Sequence, residues 1–322
     1  MLEVKAEEVP IEKGKSQDIK AMWFCCNYNL KSERVYITDE DLRKSILDRL
    51  KHDGINMLFL TMDSDNLDVY KDFLKDAHKR GIKVQALFDN PSMIYDDCCQ
   101  WTGNVIDKIS NYNNENEEVY KIDGIHYNIE FYWNENRVNY EENWIDSESE
   151  EARKSLLRKK YINFVRKACS CAYNKNIETA FDVPVWLDRF TFYDNDGLNK
   201  NIADEVCRAA DYIVIMDCKN NAKNIFDSIN NTSFYNFSDG SRTKSDMNWM
   251  ERTAKFNNKL IIGVGLESFK NEVQAKDYIT KIINDSRGMI EDSLDEEDLC
   301  LNYGYAIQSV YHGMEYDKRL DK

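Results

Sequence analysis

Eight short apolar, β-rich runs recur along the chain, and helical patterns fill most of the spaces between them. They are Ala21–Leu30, Ile55–Met62, Ile82–Asp89, Ile122–Glu130, Ile177–Val185, Asp211–Asp217, Lys259–Leu266 and Gly304–Tyr311. Successive runs start roughly 25 to 55 residues apart, a spacing that suits βα units with loop insertions. Strands alternating with helices imply a parallel sheet, and eight such units imply closure into a single (β/α)8 TIM-type barrel. An open doubly wound sheet would place a glycine-rich turn after its first strand. Here NYNLKSE follows instead, and Gly263-Val264-Gly265 lacks the third glycine.

The intervening segments carry helix signals. Thr38 with Asp41 three residues later predicts an N-terminal cap before LRKSILDRL, which Gly54 follows. Val69–Arg80 stops at Gly81, and Glu151–Tyr173 carries Leu156, Leu157, Ile162, Val165 and Ala168 as its stripe. Asn199–Ala209, Ala222–Ile229, Met247–Phe256 and Lys270–Asn284 read likewise. Residues 1–16 are expected to form an N-terminal extension and residues 17–322 one barrel domain. Too little chain follows Tyr311 for a full eighth helix, so that helix is expected to be missing or replaced by the extension. The polar insertion Asn134–Ser149 is expected to overhang the active face.

Composition narrows the partners. With 43 Lys plus Arg against 58 Asp plus Glu, the formal charge is −15. No basic stripe offers itself to nucleic acid, and an anionic membrane would repel the chain. No apolar run approaches the ~20 residues of a membrane span. MLEVKAEEVP is not a secretory signal, although an exported or trimmed form stays open. The nine cysteines include no C-x-x-C pair. They read as reduced, partly buried thiols, which favours the cytoplasm over an oxidising compartment. No cofactor is implied, and no metal-ligand spacing or P-loop is present.

In a barrel the chemistry gathers at the C-terminal ends of the strands. The fourth run, Asp123-Gly-Ile-His-Tyr-Asn-Ile-Glu130, is the most informative. Alternation puts His126, Asn128 and Glu130 on one face, with Ile125, Tyr127 and Ile129 directed toward the helices. Three polar residues facing a barrel interior are costly as plain core, unless they satisfy one another in a hydrogen-bonded network.

This segment resembles the fourth-strand signature of the chitinase-like glycoside hydrolases, D-G-x-D-x-D-x-E. Asp123, Gly124 and Glu130 match it, while His126 and Asn128 stand at the two intermediate acids. Asn-x-Glu on this strand is similar to the barrel endo-β-N-acetylglucosaminidases that cleave N-glycan cores. The resemblance implies that Glu130 is the general acid/base. It also implies that Asn128 orients a substrate acetamido group, which itself attacks the anomeric carbon. The match is clear over about eight residues. In the sixth run Ile215-Met216-Asp217 resembles a further chitinase-like region, but Cys218 takes its tyrosine position.

A competing retaining mechanism would use Glu267, at the end of the seventh run, as nucleophile, with the two carboxyls about 5–5.5 Å apart. Glu267 could equally cap the following helix. Substrate contacts are expected from His126, Asp89, Asp182, Trp186, Asp217, Trp23 and Tyr311, since polar groups and flat aromatic faces at strand exits suit sugars. The leading expectation is a glycoside hydrolase acting on an N-acetylated oligo- or polysaccharide. A carbohydrate-binding barrel that has lost its chemistry is the second reading. A metal-dependent barrel enzyme, using His126 and His312 with Asp89 or Glu130, is the third.

Overall fold

The computed structural model describes residues 19–26, 29–95, 100–132, 150–219, 222–230, 233–235, 242–244, 247–265 and 303–308, with isolated positions between 281 and 289. Eight strands form a closed parallel barrel: β1 (Ile19–Phe24), β2 (Met57–Thr61), β3 (Lys83–Phe88), β4 (Gly124–Tyr127), β5 (Glu178–Pro184), β6 (Tyr212–Lys219), β7 (Lys259–Gly265) and β8 (Tyr303–Gln308). Each pairs with its neighbours in chain order, and β1 closes onto β8 through Ile19↔Gly304 to Met22↔Ile307. The barrel expected from the alternation of runs is therefore the fold.

Around it lie α1 (Lys31–Thr38), α2 (Glu40–His52), α3 (Lys71–His78), α4 (Gln100–Glu115), α5 (Glu150–Tyr173), α6 (Ile202–Ala209), α7 (Ala222–Asn230) and α8 (Trp249–Lys255). Local chemistry sets their ends. Asp39, not Thr38, caps α2, accepting from the Leu42 N–H at 3.0 Å. Thr38 is instead the last residue of α1, a helix for which the sequence had given no signal. Gly54 and Gly81 follow α2 and α3 at φ 79° and 70°, a conformation that costs glycine little. Asn201 caps α6 through the Ala203 N–H, and residues 199–201 pair with Thr191–Tyr193 in a hairpin. The helix predicted from Asn199 thus starts three residues later. Asn248 and Glu251 form a reciprocal capping box on α8.

Two apolar layers hold the fold. The outer one joins strands to helices and includes Ile125, Tyr127 and Ile129, the residues alternation directed outward. The inner one fills the barrel with Ala21, Met57, Phe59, Leu87, Ala180, Tyr212, Val214, Ile261 and Ala306, with Trp23 packed on top. Small residues from some strands face large ones from others, as interior packing at crystal-like density requires. At the N-terminal end, Tyr212 Oη donates to Glu178 at 2.8 Å, and Lys259 Nζ donates to both Glu178 (2.8 Å) and Tyr212 (2.9 Å), closing the barrel with a polar plug. Among the described residues no helix is long and apolar enough to cross a membrane. Cys25, Cys26, Cys169, Cys171 and Cys207 are free thiols there. The predicted helix Lys270–Asn284, the Asn134–Ser149 insertion and the chain after Gln308 fall outside the described residues, apart from isolated helical positions.

Candidate active site

The two ends of the fourth-strand motif do different work. Asp123 stands at its N-terminal end, where its Oδ2 accepts from the Val84 N–H at 2.7 Å and lies 2.8 Å from His78 Nε2. A Cβ on Gly124 would come 2.9 Å from the Glu178 carbonyl and 3.2 Å from Gln85 Nε2, so only glycine lets β4 lie this close to its neighbours. The Asp-Gly pair therefore seats the strand, far from the mouth.

The ladder continues past Tyr127, with the Asn128 N–H donating to the Phe88 carbonyl at 2.9 Å. A tight turn follows, Phe131 N–H to Ile129 O at 2.8 Å. Phe131 stacks on Tyr161 of α5, 4.3 Å between centroids and 23° between planes, which pins this turn to the helix layer. The turn brings Tyr132 back over Glu130. Tyr132 Oη donates to Glu130 Oε2 at 3.0 Å, and Asn128 Nδ2 faces Glu130 Oε1 at 3.4 Å. Glu130 and Asn128 are half-buried. Burial, then the Glu130 charge, push the Tyr132 hydroxyl well above the ordinary tyrosine range, so it keeps its proton and remains a donor. Asn128 Oδ1 is buried and meets no donor among the described residues.

His126 lies deeper on the same face, fully buried, its ring 3.9 Å from that of Phe59. Its Nε2 is 2.8 Å from Asp182 Oδ1, though off the line of a good hydrogen bond, and neither side chain has any exposed surface. The other Asp182 oxygen accepts from Trp23 Nε1 at 2.9 Å. Above this layer, the half-buried Trp186 meets Tyr132 edge-on at 4.7 Å and Phe190 at 5.3 Å, making one aromatic wall beside Glu130. Cys25 and Asp89 follow β1 and β3 at the same mouth. Both are exposed by surface area, yet the protein crowded about the Cys25 thiol and the charges of Asp89 and Asp182 push it up to about 11, so it stays protonated.

Of the residues singled out from the sequence, Glu130, Asn128, His126, Asp182, Trp23 and Trp186 therefore gather at one end of the barrel, with Asp89 at its rim. Glu267 and Tyr311, like His312, fall outside the described residues, as does the side chain of Asp217 in β6. The sequence offers Tyr132 only as one of the aromatics near a strand exit whose faces suit a sugar; its hydroxyl bond to Glu130 is what the structure adds. Among the described residues no cluster of histidine, cysteine and carboxylate could hold a metal ion. Chemically, the arrangement offers one carboxyl group with a fixed hydroxyl donor, a neighbouring amide whose carbonyl oxygen meets no donor among the described residues, and an aromatic wall.

The sequence matches no protein-family model, and no curated protein matches it. Solved structures that it resembles include a β-1,4-mannanase from the common sea hare Aplysia kurodai, at 10% identity over 96% of this chain and 92% of that one, TM-score 0.48. The PgaB (BpsB) glycoside hydrolase domain from Bordetella bronchiseptica is 10% identical over 90% and 94% of the two chains, TM-score 0.46. A GH18 chitinase from Pseudoalteromonas aurantia is 11% identical over 94% and 98%, TM-score 0.45. The barrel itself stands on its own strand pairing.

Proposed function

We propose that this chain is a glycoside hydrolase for an N-acetylated oligo- or polysaccharide, with Glu130 as general acid/base and Asn128 as its partner. One observation carries the reading: Asn128 Oδ1 is buried without a donor among the described residues, two residues from a carboxyl group held by Tyr132. A buried acceptor left open costs about 1–3 kcal/mol, a cost that a bound N–H removes. The 2-acetamido group of a sugar supplies such an N–H. With that N–H on Asn128 Oδ1, the acetamido carbonyl oxygen is turned toward C1. It forms the new bond to C1 as the glycosidic C–O bond breaks, and Glu130 gives its proton to the leaving oxygen. Water then opens the cyclic intermediate at C1, and Glu130 takes a proton from that water.

The test is hydrolysis of aryl glycosides, N-acetylglucosaminide and N-acetylchitobioside included, by wild type and Glu130→Gln in parallel. Turnover of an N-acetylated substrate that collapses in the variant supports the reading, as does far slower turnover of the same aglycone on glucose. Oligosaccharide binding without turnover would make the chain a carbohydrate-binding barrel instead, with Glu130→Gln leaving affinity intact. Equal turnover by the two proteins would remove Glu130 from the chemistry.

A further inference from the structure

Trp23 sits next to the last residue of β1, yet its hydrogen-bond partner Asp182 belongs to β5, four strands away in either direction around the barrel. The indole therefore crosses the barrel. Its Cη2 lies 3.2 Å from where a Cβ would stand on Gly263 of β7, and its ring meets Phe59 of β2 edge-on at 5.5 Å and 71°. Small inward residues make this crossing possible: Gly263 on β7 and Ala306 on β8 leave the space that the indole occupies. The inner cluster beneath it is buried throughout, whereas Trp23 is only half-buried. It is thus the last apolar layer of the interior and the floor of the mouth.

Asp182 has no exposed surface, so it cannot itself be reached by a ligand in the mouth. A buried carboxylate is costly unless its oxygens find partners. Here one oxygen holds the indole N–H and the other faces His126, which Phe59 in turn holds. The group influences a ligand only through what it orients.

Resting on the function proposed above, we infer that Trp23 is the platform on which the pyranose ring beside Glu130 stacks, and that Asp182 is a positioning residue acting through Trp23. A pyranose presents a face of C–H groups, which suits an immobilised indole plane. Fixing that plane before binding spares the ordering cost of a free side chain.

The experiment uses the full chain carrying Glu130→Gln, so that bound sugar is not turned over. Binding of N-acetylchitotetraose is measured by calorimetry with Trp23→Phe, Asp182→Asn and both together. Trp23→Phe should weaken binding about fivefold or more, a typical aromatic contribution. Asp182→Asn should weaken it by a similar factor. The double variant should be no weaker than Trp23→Phe alone, since a residue acting through Trp23 has nothing left to act on. Independent losses that multiply would overturn the positioning role, and unchanged affinity in Trp23→Phe would overturn the platform. A second readout needs no sugar. The Trp23 share of the fluorescence, obtained by difference from Trp23→Phe, should become more accessible to acrylamide in Asp182→Asn, and an unchanged share overturns the positioning role. If the tetrasaccharide binds no form of the protein, the platform falls together with the proposed function, while the quenching result still decides whether Asp182 holds the indole.

Discussion

Gly263→Ala is a small change with a calculable cost. Gly263 lies where β7 loses register with β6, between Ile262↔Ile215 and Val264↔Lys219. The new methyl carbon would stand 2.8 Å from the Ile215 carbonyl oxygen, 3.2 Å from Trp23 Cη2 and 3.7 Å from Met216 Cα. The last is an ordinary contact. The first is about half an ångström too short for carbon and oxygen, which rarely approach closer than ~3.3 Å. The oxygen belongs to the main chain, so no rotamer change relieves the clash and the two strands must part locally. Overpacking of this kind costs about 1–3 kcal/mol. The backbone at Gly263 is not left-handed, so alanine recovers about 0.4–1 kcal/mol through a less flexible unfolded chain. The net expectation is about 1–2 kcal/mol of lost stability, read as a lower thermal midpoint. Gly103→Ala is the matched control. It lies inside α4 with nothing within 4 Å of the added carbon, and should gain about 0.5–1 kcal/mol. The same methyl group pushes the indole away from β7, so sugar binding should weaken in Gly263→Ala and not in Gly103→Ala. A Gly263→Ala protein as stable as wild type would refute the packing argument.

Two further outcomes follow from hydrogen bonds already described. His78 places Nδ1 2.8 Å from the Val119 carbonyl and Nε2 2.8 Å from Asp123, so both nitrogens face acceptors and the doubly protonated ring fits best. Burial alone would lower its pKa, but the Asp123 bond and charge with the Val119 carbonyl outweigh it, and the net direction is upward. The stabilisation is therefore complete below the unfolded histidine value of about 6.5, and is lost as pH rises through the higher folded value. Thermal midpoints measured upward from pH 6 should fall for wild type more than for His78→Asn, and parallel curves would contradict this. Tyr132→Phe removes the donor to Glu130, and bonds to charged groups are worth about 1.5–3 kcal/mol. The variant's kcat/KM on the best N-acetylated substrate should drop roughly 10- to 100-fold, and an unchanged value would show that the hydroxyl does not assist.

The barrel was legible because its strands are dense apolar runs, and burial on both faces demands such runs of any parallel sheet. The outward side of β4 was legible because alternation needs no knowledge of neighbours. Helix α4 was not anticipated: its sequence QWTGNVIDKISNYNNE is rich in polar residues, and it buries Thr102 and Ser110 beside Val105, Ile106 and Ile109. Its apolar stripe is too thin to stand out before the strands it covers are known. The hairpin at residues 191–201 was lost for a similar reason, since three-residue strands carry too little periodicity. Within the site, Glu130 and Asn128 came from spacing on one strand. The Trp23–Asp182 bond joins residues from opposite sides of the barrel, and no local pattern encodes a contact set by barrel diameter. The roles expected of Glu267 and Tyr311 lie outside the described residues.

The seam between β1 and β8 has a consequence in time. Ala21 meets Met57 across a short stretch of chain, whereas Ile19 meets Gly304 across almost the whole of it. Closing that loop, about eightfold longer, adds only about 2 kcal/mol of chain entropy, so at equilibrium the last seam is nearly as secure as the first. During synthesis the difference is large. Until β8 leaves the ribosome, β1 is an edge strand with unpaired amides and carbonyls, and the inner apolar layer lacks one wall. A ribosome that stalls before residue 303 leaves an open seven-stranded sheet, and a chaperone covering β1 for that interval would be guarding one of the two edges, β1 and β7, that the finished ring abolishes.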